Sequence, residues 1–258
     1  MFKSMSLEKV RALAAEKDFC FSPVEIALLR QDPRKGAQDV LSRVQKRHED
    51  HLAEERRLNR ITESELALWG QGFQRVVGID EVGRGPLAGP VTVGGVIFAE
   101  GSRIPGVNDS KLLSHQRREE LSHIIKDKAM AWAIASRDNA YIDQHGIMSA
   151  IYACQLEIVE KLAPDYLMLD AFLLPGCALP QLAIIRGDSQ SLSIAAASII
   201  AKVHRDQLMA ELDIAYPGYG FASHKGYGCR EHYDALFNLG PCEIHRQSYL
   251  GFMNNPRE

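Results

Sequence analysis

The sequence predicts an α/β domain over residues 71–258, closing in a helical segment, behind a small helical N-terminal extension over residues 1–70. Three observations predict it. From Gln74 onward, short apolar runs alternate with segments of helical periodicity. Over residues 1–70 only two of the 20 glycines, Gly36 and Gly70, occur, and to Gln74 the charges balance at 13 Lys and Arg against 12 Asp and Glu. The full length of 258 residues with 46% hydrophobic content suffices for one large domain and a smaller unit.

In order along the chain, residues 6–16 read as a short helix capped by Ser6. Ser22-Pro23 fits a cap with proline at the first helical position, opening a helix over 24–29. Residues 35–61 carry Val40, Leu41, Val44, His51 and Leu52 at helical spacing, a thin stripe that calls for a packing partner. Thr62 starts another short helix that stops at Gly70. The basic cluster Lys46, Arg47, Arg56, Arg57 and Arg60 suits a nucleic-acid backbone or a solvated face, and the interleaved Glu49, Asp50, Glu54 and Glu55 favour the solvated face.

Strands are expected at 76–79, 91–98, 130–136, 166–169 and 182–185, and helices at 114–128, 139–162, 191–215 and 230–239. Ala195, Ala196 and Ala197 make the third of these the strongest helix signal, and Gly240-Pro241 stops the last. A formal net charge of -3 and a pI near 6.3 exclude a global basic field. The five cysteines show no paired spacing and read as reduced thiols of a cytoplasmic protein. No apolar run reaches membrane-spanning length.

The carboxylates carry the chemistry. Asp80 and Glu81 follow the first strand, Asp170 follows the fourth, and Asp188 lies between the fifth and the long helix. Adjacent acids repel one another unless a cation neutralises them, and strand ends are where functional side chains converge in α/β sheets. Four such carboxylates suit two hard divalent cations, Mg²⁺ or Mn²⁺, roughly 3.5–4 Å apart. Each acid also has a plain structural reading, Asp188 as a helix cap and Asp170 as a turn former. Beside the first pair, Gly83-Arg84-Gly85 forms a tight turn whose amides can approach a phosphate or sugar.

These segments together resemble the type 2 ribonucleases H, bacterial ribonuclease HII most of all, over roughly residues 76–250. The resemblance rests on Gly78-Ile-Asp-Glu-Val-Gly-Arg-Gly-Pro-Leu-Ala-Gly-Pro90, Asp109-Ser-Lys111, Gly187-Asp-Ser189 with Ser193 to Lys202, Ser223-His-Lys-Gly-Tyr227 and His245-Arg-Gln-Ser248. It implies an RNase H-like fold, a mixed central sheet flanked by helices. It also implies metal-dependent cleavage of the RNA strand in RNA–DNA hybrids and nicking of duplex DNA at embedded single ribonucleotides, leaving 3′-hydroxyl and 5′-phosphate ends. By position it makes Asp80, Glu81, Asp170 and Asp188 the metal-binding catalytic residues. Gly83, Arg84 and Gly85 become the reader of the ribonucleotide's 2′-hydroxyl, Tyr227 the residue at the RNA–DNA junction, and Lys111, Lys225 and Arg246 phosphate contacts. A monomer is expected. The N-terminal extension, with Asp32-Pro-Arg-Lys35, looks like that of some Gram-positive members.

Rival patterns fare worse. Gly83, Gly85 and Ala88 match a dinucleotide fingerprint by letter, but a strand follows where that motif needs a helix. His204-Arg-Asp206 spells a kinase triplet inside a helix. His224 and His232 lack zinc spacing and read as surface residues. An inactive nucleic-acid-binding module and a nuclease acting on DNA alone are the remaining alternatives; the presence of all four acids speaks against the first.

Overall fold

The computed structural model describes residues 22–254, together with Glu8, Arg11, Ala12 and Ala14, which are helical. The rest of the expected first helix lies outside the described residues. By their internal contacts the residues form two compact units, 1–59 and 60–258.

In the first unit, helix α1 (Pro23–Gln31) opens on a complete capping box. Ser22 accepts from the Glu25 N–H while the Glu25 carboxylate accepts from the Ser22 N–H, an arrangement worth about 1 kcal/mol. Helix α2 (Lys35–Ile61) follows the turn at Asp32, and Leu29, Ala37, Val40 and Leu41 form a small core with Ala14. Helix α3 (Glu63–Gly70) belongs to the second unit.

The second unit is built on a five-stranded sheet of order β3-β2-β1-β4-β5, comprising β1 (Val76–Val82), β2 (Val91–Ile97), β3 (Ala131–Arg137), β4 (Tyr166–Asp170) and β5 (Gln181–Ile184). β1–β2 and β2–β3 pair antiparallel, whereas β1–β4 and β4–β5 pair parallel, so the sheet is mixed. Between the strands run α4 (His115–Lys128), α5 (Asn139–His145) and α6 (Ile147–Leu162); after them come α7 (Leu192–Ala215), α8 (Phe221–His224) and α9 (Arg230–Leu239).

Neighbouring glycines show how the layers close. A Cβ on Gly94 would lie 2.5 Å from the Ala197 carbonyl of α7, and one on Gly95 would lie 2.3 Å from Ile158 of α6. Successive strand residues face opposite sides, so α7 and α6 cover opposite faces of β2. Gly78 admits α7 more closely still, its Cβ position being 2.2 Å from the Ser193 backbone carbon. On the α6 side, Val77, Ile79, Val93, Ile97, Ile151, Cys154, Ile158, Leu167 and Leu169 form the main core.

The sequence reading needs three adjustments here. The helix expected over 139–162 is two helices, because Gly146 at φ 82° breaks it and its N–H closes α5 on the Ile142 carbonyl. The first strand runs on to Val82, so Asp80 and Glu81 lie within it, opposite Gly94 and Val93. The short helix α8 was not anticipated. Among the described residues, Cys154, Cys177, Cys229 and Cys242 are free thiols, and no helix is long and apolar enough to cross a membrane.

Candidate functional site

Parallel pairing of β1 with β4 puts Ile79 beside Leu169, so the next residues, Asp80 and Asp170, emerge from adjacent strands. Asp188 follows in a single 3₁₀ turn, Gly187–Ser189, before α7. This turn is tied to the fourth strand, since the Gly187 N–H donates to Asp170 Oδ1 at 2.7 Å. Asp80 and Asp188 are buried, at 6% and 5% exposure.

The electrostatics show crowding. Burial pushes the Asp80 carboxyl up to about 8, with repulsion from Glu81 adding to the rise and a hydrogen bond from Ser198 opposing it. Glu81 is also raised by burial, and Asp170 adds to that rise while Arg84 opposes it. Asp170 is raised by burial and by Asp188, against the Gly187 hydrogen bond. Ser110 and Ser198 hydroxyls lie 3.0 Å apart, so the segment Asp109-Ser110-Lys111 reaches Asp80 through Ser198.

Two side-chain cations attend the acids. Lys111 Nζ donates to Asp188 Oδ2 at 2.9 Å and lies 3.6 Å from Asp109. Partial desolvation lowers its pKa, but the Asp188 hydrogen bond and charge more than offset this and hold it above the lysine norm. Arg84 reaches Glu81 at 3.2 Å, while its guanidinium lies 5.4 Å from the centre of the Phe172 ring and touches the Met148 sulfur. Phe172 gets there through a tight turn: its N–H donates to the Asp170 carbonyl at 2.8 Å around Ala171, held at φ 62°.

The donor set is all oxygen and suits hard divalent cations. Among the described residues no group of three His, Cys, Asp or Glu side chains stands as a formed metal cage. The fit is therefore one of charge and donor chemistry.

The turn after β1 is shaped from behind. Gly83 has φ 91°, and a Cβ there would meet Arg205 Nε at 2.4 Å, so glycine is required. Gly85 meets no such demand: a Cβ would face open space. The N–H groups of Arg84 and Gly85 donate to no acceptor among the described residues.

Two fully buried arginines hold the loop. Arg246 donates to the carbonyls of Gly83, Arg84 and Gly89, and Arg205 to those of Pro90, Ala88 and Lys225. Tyr249 adds a second bond to the Arg84 carbonyl. Arg246 thus spends its guanidinium on backbone and, at 0% exposure, stands behind the loop instead of on a phosphate-contacting surface. Lys225 is half-buried and donates to the Ala222 carbonyl at 2.7 Å, at the surface. Tyr227 is exposed at 41%, with the Arg205 guanidinium 5.9 Å from its ring centre.

Behind Tyr227 lies a histidine chain. His232 and His245 are fully buried, which corrects the surface reading of His232. The pattern of partners assigns the protons. His232 Nδ1–H donates to the Tyr227 carbonyl, His245 Nε2–H to His232 Nε2 at 3.0 Å, and the Cys242 N–H to His245 Nδ1. Burial lowers the pKa of both rings, that of His232 to about 4. Nothing in the sequence pattern marks Arg205, Tyr249 or Phe172 for the site; their roles are set by burial and by turns that periodicity does not record.

Comparison with known proteins places this geometry. The family model for ribonuclease HII matches residues 77–251, and that for the ribonuclease HII N-terminal domain matches residues 12–69. Ribonuclease HII of Clostridioides difficile is 46% identical over 87% of this chain and 89% of its own length. That of an Anaeromyxobacter species is 44% identical over 95% and 78%. Among solved structures, ribonuclease HII of Archaeoglobus fulgidus, in a complex with PCNA, superposes with a TM-score of 0.59 at 26% identity, covering 68% of this chain and 95% of that one. Ribonuclease H2 of Pyrococcus horikoshii gives 0.58 at 25%, covering 67% and 93%.

Proposed function

The chain belongs to the ribonuclease HII family, enzymes that degrade the RNA of RNA–DNA hybrids, and from that premise we propose that it also nicks duplex DNA 5′ of embedded single ribonucleotides. It leaves 3′-hydroxyl and 5′-phosphate ends and serves ribonucleotide repair and replication, as a cytoplasmic monomer whose catalytic domain follows residue 70. The observation that carries this reading is the convergence of Asp80, Glu81, Asp170 and Asp188, three of them with raised pKa values, beside an exposed glycine turn.

The family uses divalent metal ions, and in this chain the four acids would hold them, Mg²⁺ or Mn²⁺, two during catalysis. Such ions supply Lewis-acid stabilisation of the attacking and leaving oxygens of a phosphodiester. The protein supplies position. Gly85 leaves room for a sugar to approach, and the unengaged N–H groups of Arg84 and Gly85 suit the 2′-hydroxyl that separates RNA from DNA. Arg84, steadied by Phe172 and Glu81, faces the adjacent phosphate. Tyr227 offers an exposed ring to the junction, and Lys111, 76% exposed at its side chain, offers an ammonium to the backbone.

The test is cleavage of a duplex containing one ribonucleotide, with and without Mg²⁺, beside an all-DNA duplex of the same sequence. A metal-dependent nick at the ribonucleotide and an intact DNA control are expected. Cleavage of the DNA control would overturn the reading.

A further inference from the structure

Glu65 lies on α3, within residues 12–69 that match the N-terminal-domain model. Its carboxylate is 1% exposed and grips the start of α7. Oε1 accepts from the Ser193 N–H at 2.9 Å, from Ser193 Oγ at 2.7 Å and from Ser191 Oγ at 2.6 Å. Ser191 is the cap of α7, its own oxygen accepting from the Ile194 N–H. The first turn of a helix has unpaired donors and a positive dipole end, so a carboxylate there is doubly favoured. Here it comes from a different helix, 126 residues back in the chain.

What α7 begins with matters. The Ser191 N–H donates to the Gly187 carbonyl at 2.8 Å, closing the turn that contains Asp188. The Gly187 N–H in turn donates to Asp170. A continuous hydrogen-bonded chain therefore runs from Glu65 through Ser191 and Gly187 to Asp170, with Asp188 inside it. On the other side, Gly78 of β1 lies so close to Ser193 that no side chain fits between them. The start of α7 is clamped between β1 and Glu65.

We infer that Glu65 is a positioning residue for the carboxylate site, holding the Asp188 turn in place for cation binding and turnover. This rests on the reading of Asp170 and Asp188 as cation-holding residues. It gives α3, within the segment that matches the N-terminal-domain model, a part in the active site. Ser191 and Ser193 are themselves buried, at 0% and 1% exposure, and their hydroxyls lie 3.2 Å apart, so removing Glu65 strands the Ser193 N–H and one of the two hydroxyls without an acceptor. Glutamine keeps one acceptor oxygen, but its amide would fall where Glu65 Oε2 has no hydrogen-bond partner among the described residues.

The experiment uses the full chain and compares Glu65→Ala, Glu65→Gln, Ser193→Ala and a core control, Ile158→Ala on α6, all at a temperature where circular dichroism shows them folded. Mn²⁺ binding is measured by calorimetry, and kcat and KM on a hybrid duplex. Glu65→Ala is expected to weaken Mn²⁺ binding and lower kcat by about tenfold each, as loss of groups that orient ligands does, with KM within about twofold. Glu65→Gln and Ser193→Ala are expected to fall in between, and they carry the test if the alanine variant does not fold. Ile158→Ala is expected to lose thermal stability with Mn²⁺ affinity unchanged. If the Glu65 and Ser193 variants behave like Ile158→Ala, Glu65 is a structural cap and the inference falls. Should Asp188→Asn keep full Mn²⁺ affinity and turnover, the reading of the carboxylate site fails instead.

Discussion

Arg246 donates from its guanidinium to the carbonyl of Gly83 at 2.6 Å, across 163 positions of sequence and with no exposure to solvent. One side chain near the C-terminus thereby sets the backbone of the turn after β1. Lysine cannot replace it, since an ammonium is a point donor and the three carbonyls of Gly83, Arg84 and Gly89 need a fork. Arg246→Lys is expected to destabilise the fold by about 3 kcal/mol through stranded carbonyls. It should also raise KM for a single-ribonucleotide duplex more than for a continuous hybrid. Urea melts and paired kinetics check both; an unchanged KM ratio would separate Arg246 from recognition.

Removing charge from the carboxylate site is expected to cost activity and spare stability. Asp80 is buried and repelled by Glu81 and Asp170, so Asp80→Asn should leave the metal-free protein as stable or more stable, by up to about 1 kcal/mol. Turnover should be nearly abolished. Mg²⁺ should raise the melting temperature of the parent chain and not of the variant, because a ligand stabilises only the state that binds it. Scanning fluorimetry with and without Mg²⁺ reads this directly.

The buried histidines contribute acid sensitivity, opposite in sign to the site carboxylates, whose raised pKa values favour the folded chain as pH falls. The His232 pKa is about 4, below the ordinary histidine value of about 6.5. Above pH 6.5 both folded and unfolded chains leave the ring neutral, and stability is unaffected. As pH falls from 6.5 to 4 the unfolded chain takes up the proton and the folded one does not, so stability drops, by on the order of 3 kcal/mol in total. His232→Gln should remove this drop, so that the stability of the variant relative to the parent rises as urea midpoints are taken from pH 7.5 down to 4.5. An equally steep profile would assign the acid sensitivity to other groups.

Tyr227 is half-exposed and its backbone is anchored independently of its ring. Tyr227→Ala should therefore leave the melting temperature within a few degrees while lowering single-ribonucleotide cleavage by about tenfold, the order of magnitude of one lost stacking contact. Equal cleavage by parent and variant would remove the ring from the junction.

Close approach at β1 has its own signature. Gly78→Ala would set a methyl 2.2 Å from the Ser193 backbone carbon and 2.4 Å from the Ile194 nitrogen, neither of which can swing aside. A loss of about 3 kcal/mol is expected. A melt matching the parent would mean that α7 can recede.

Much of this was written in the chain and some was not. The first two strands announce themselves as β-branched runs and the other three as short apolar runs, and Ser22-Pro23 and Gly240-Pro241 mark helix ends through backbone chemistry that needs no partner. Asp80 and Glu81 read as following the strand because acids disfavour strands; inside it, Asp80 faces Gly94 on the α7 side, where no side chain competes for space, and Glu81 pairs with Val93. Gly146 is ambiguous within a helical pattern until its φ is known. His232 reads as a surface residue and Arg246 as a phosphate contact, and Arg205 is unmarked, because charged and polar side chains are rarely fully buried. Their burial depends on carbonyls and rings from distant segments, which no local window contains.

The adjacent glycines of β2 bear on the site in one more way. At Gly94 and Gly95 the helices on the two faces of the sheet rest on main chain, with no side chain as a spacer. Gly94 is also the cross-strand partner of Asp80. The depth at which Asp80 sits is thus gauged by peptide geometry, which is the same in every chain, and not by the size of a packed residue, which drifts as sequences diverge. Substitutions elsewhere in the core can loosen the layers while this gauge keeps its setting.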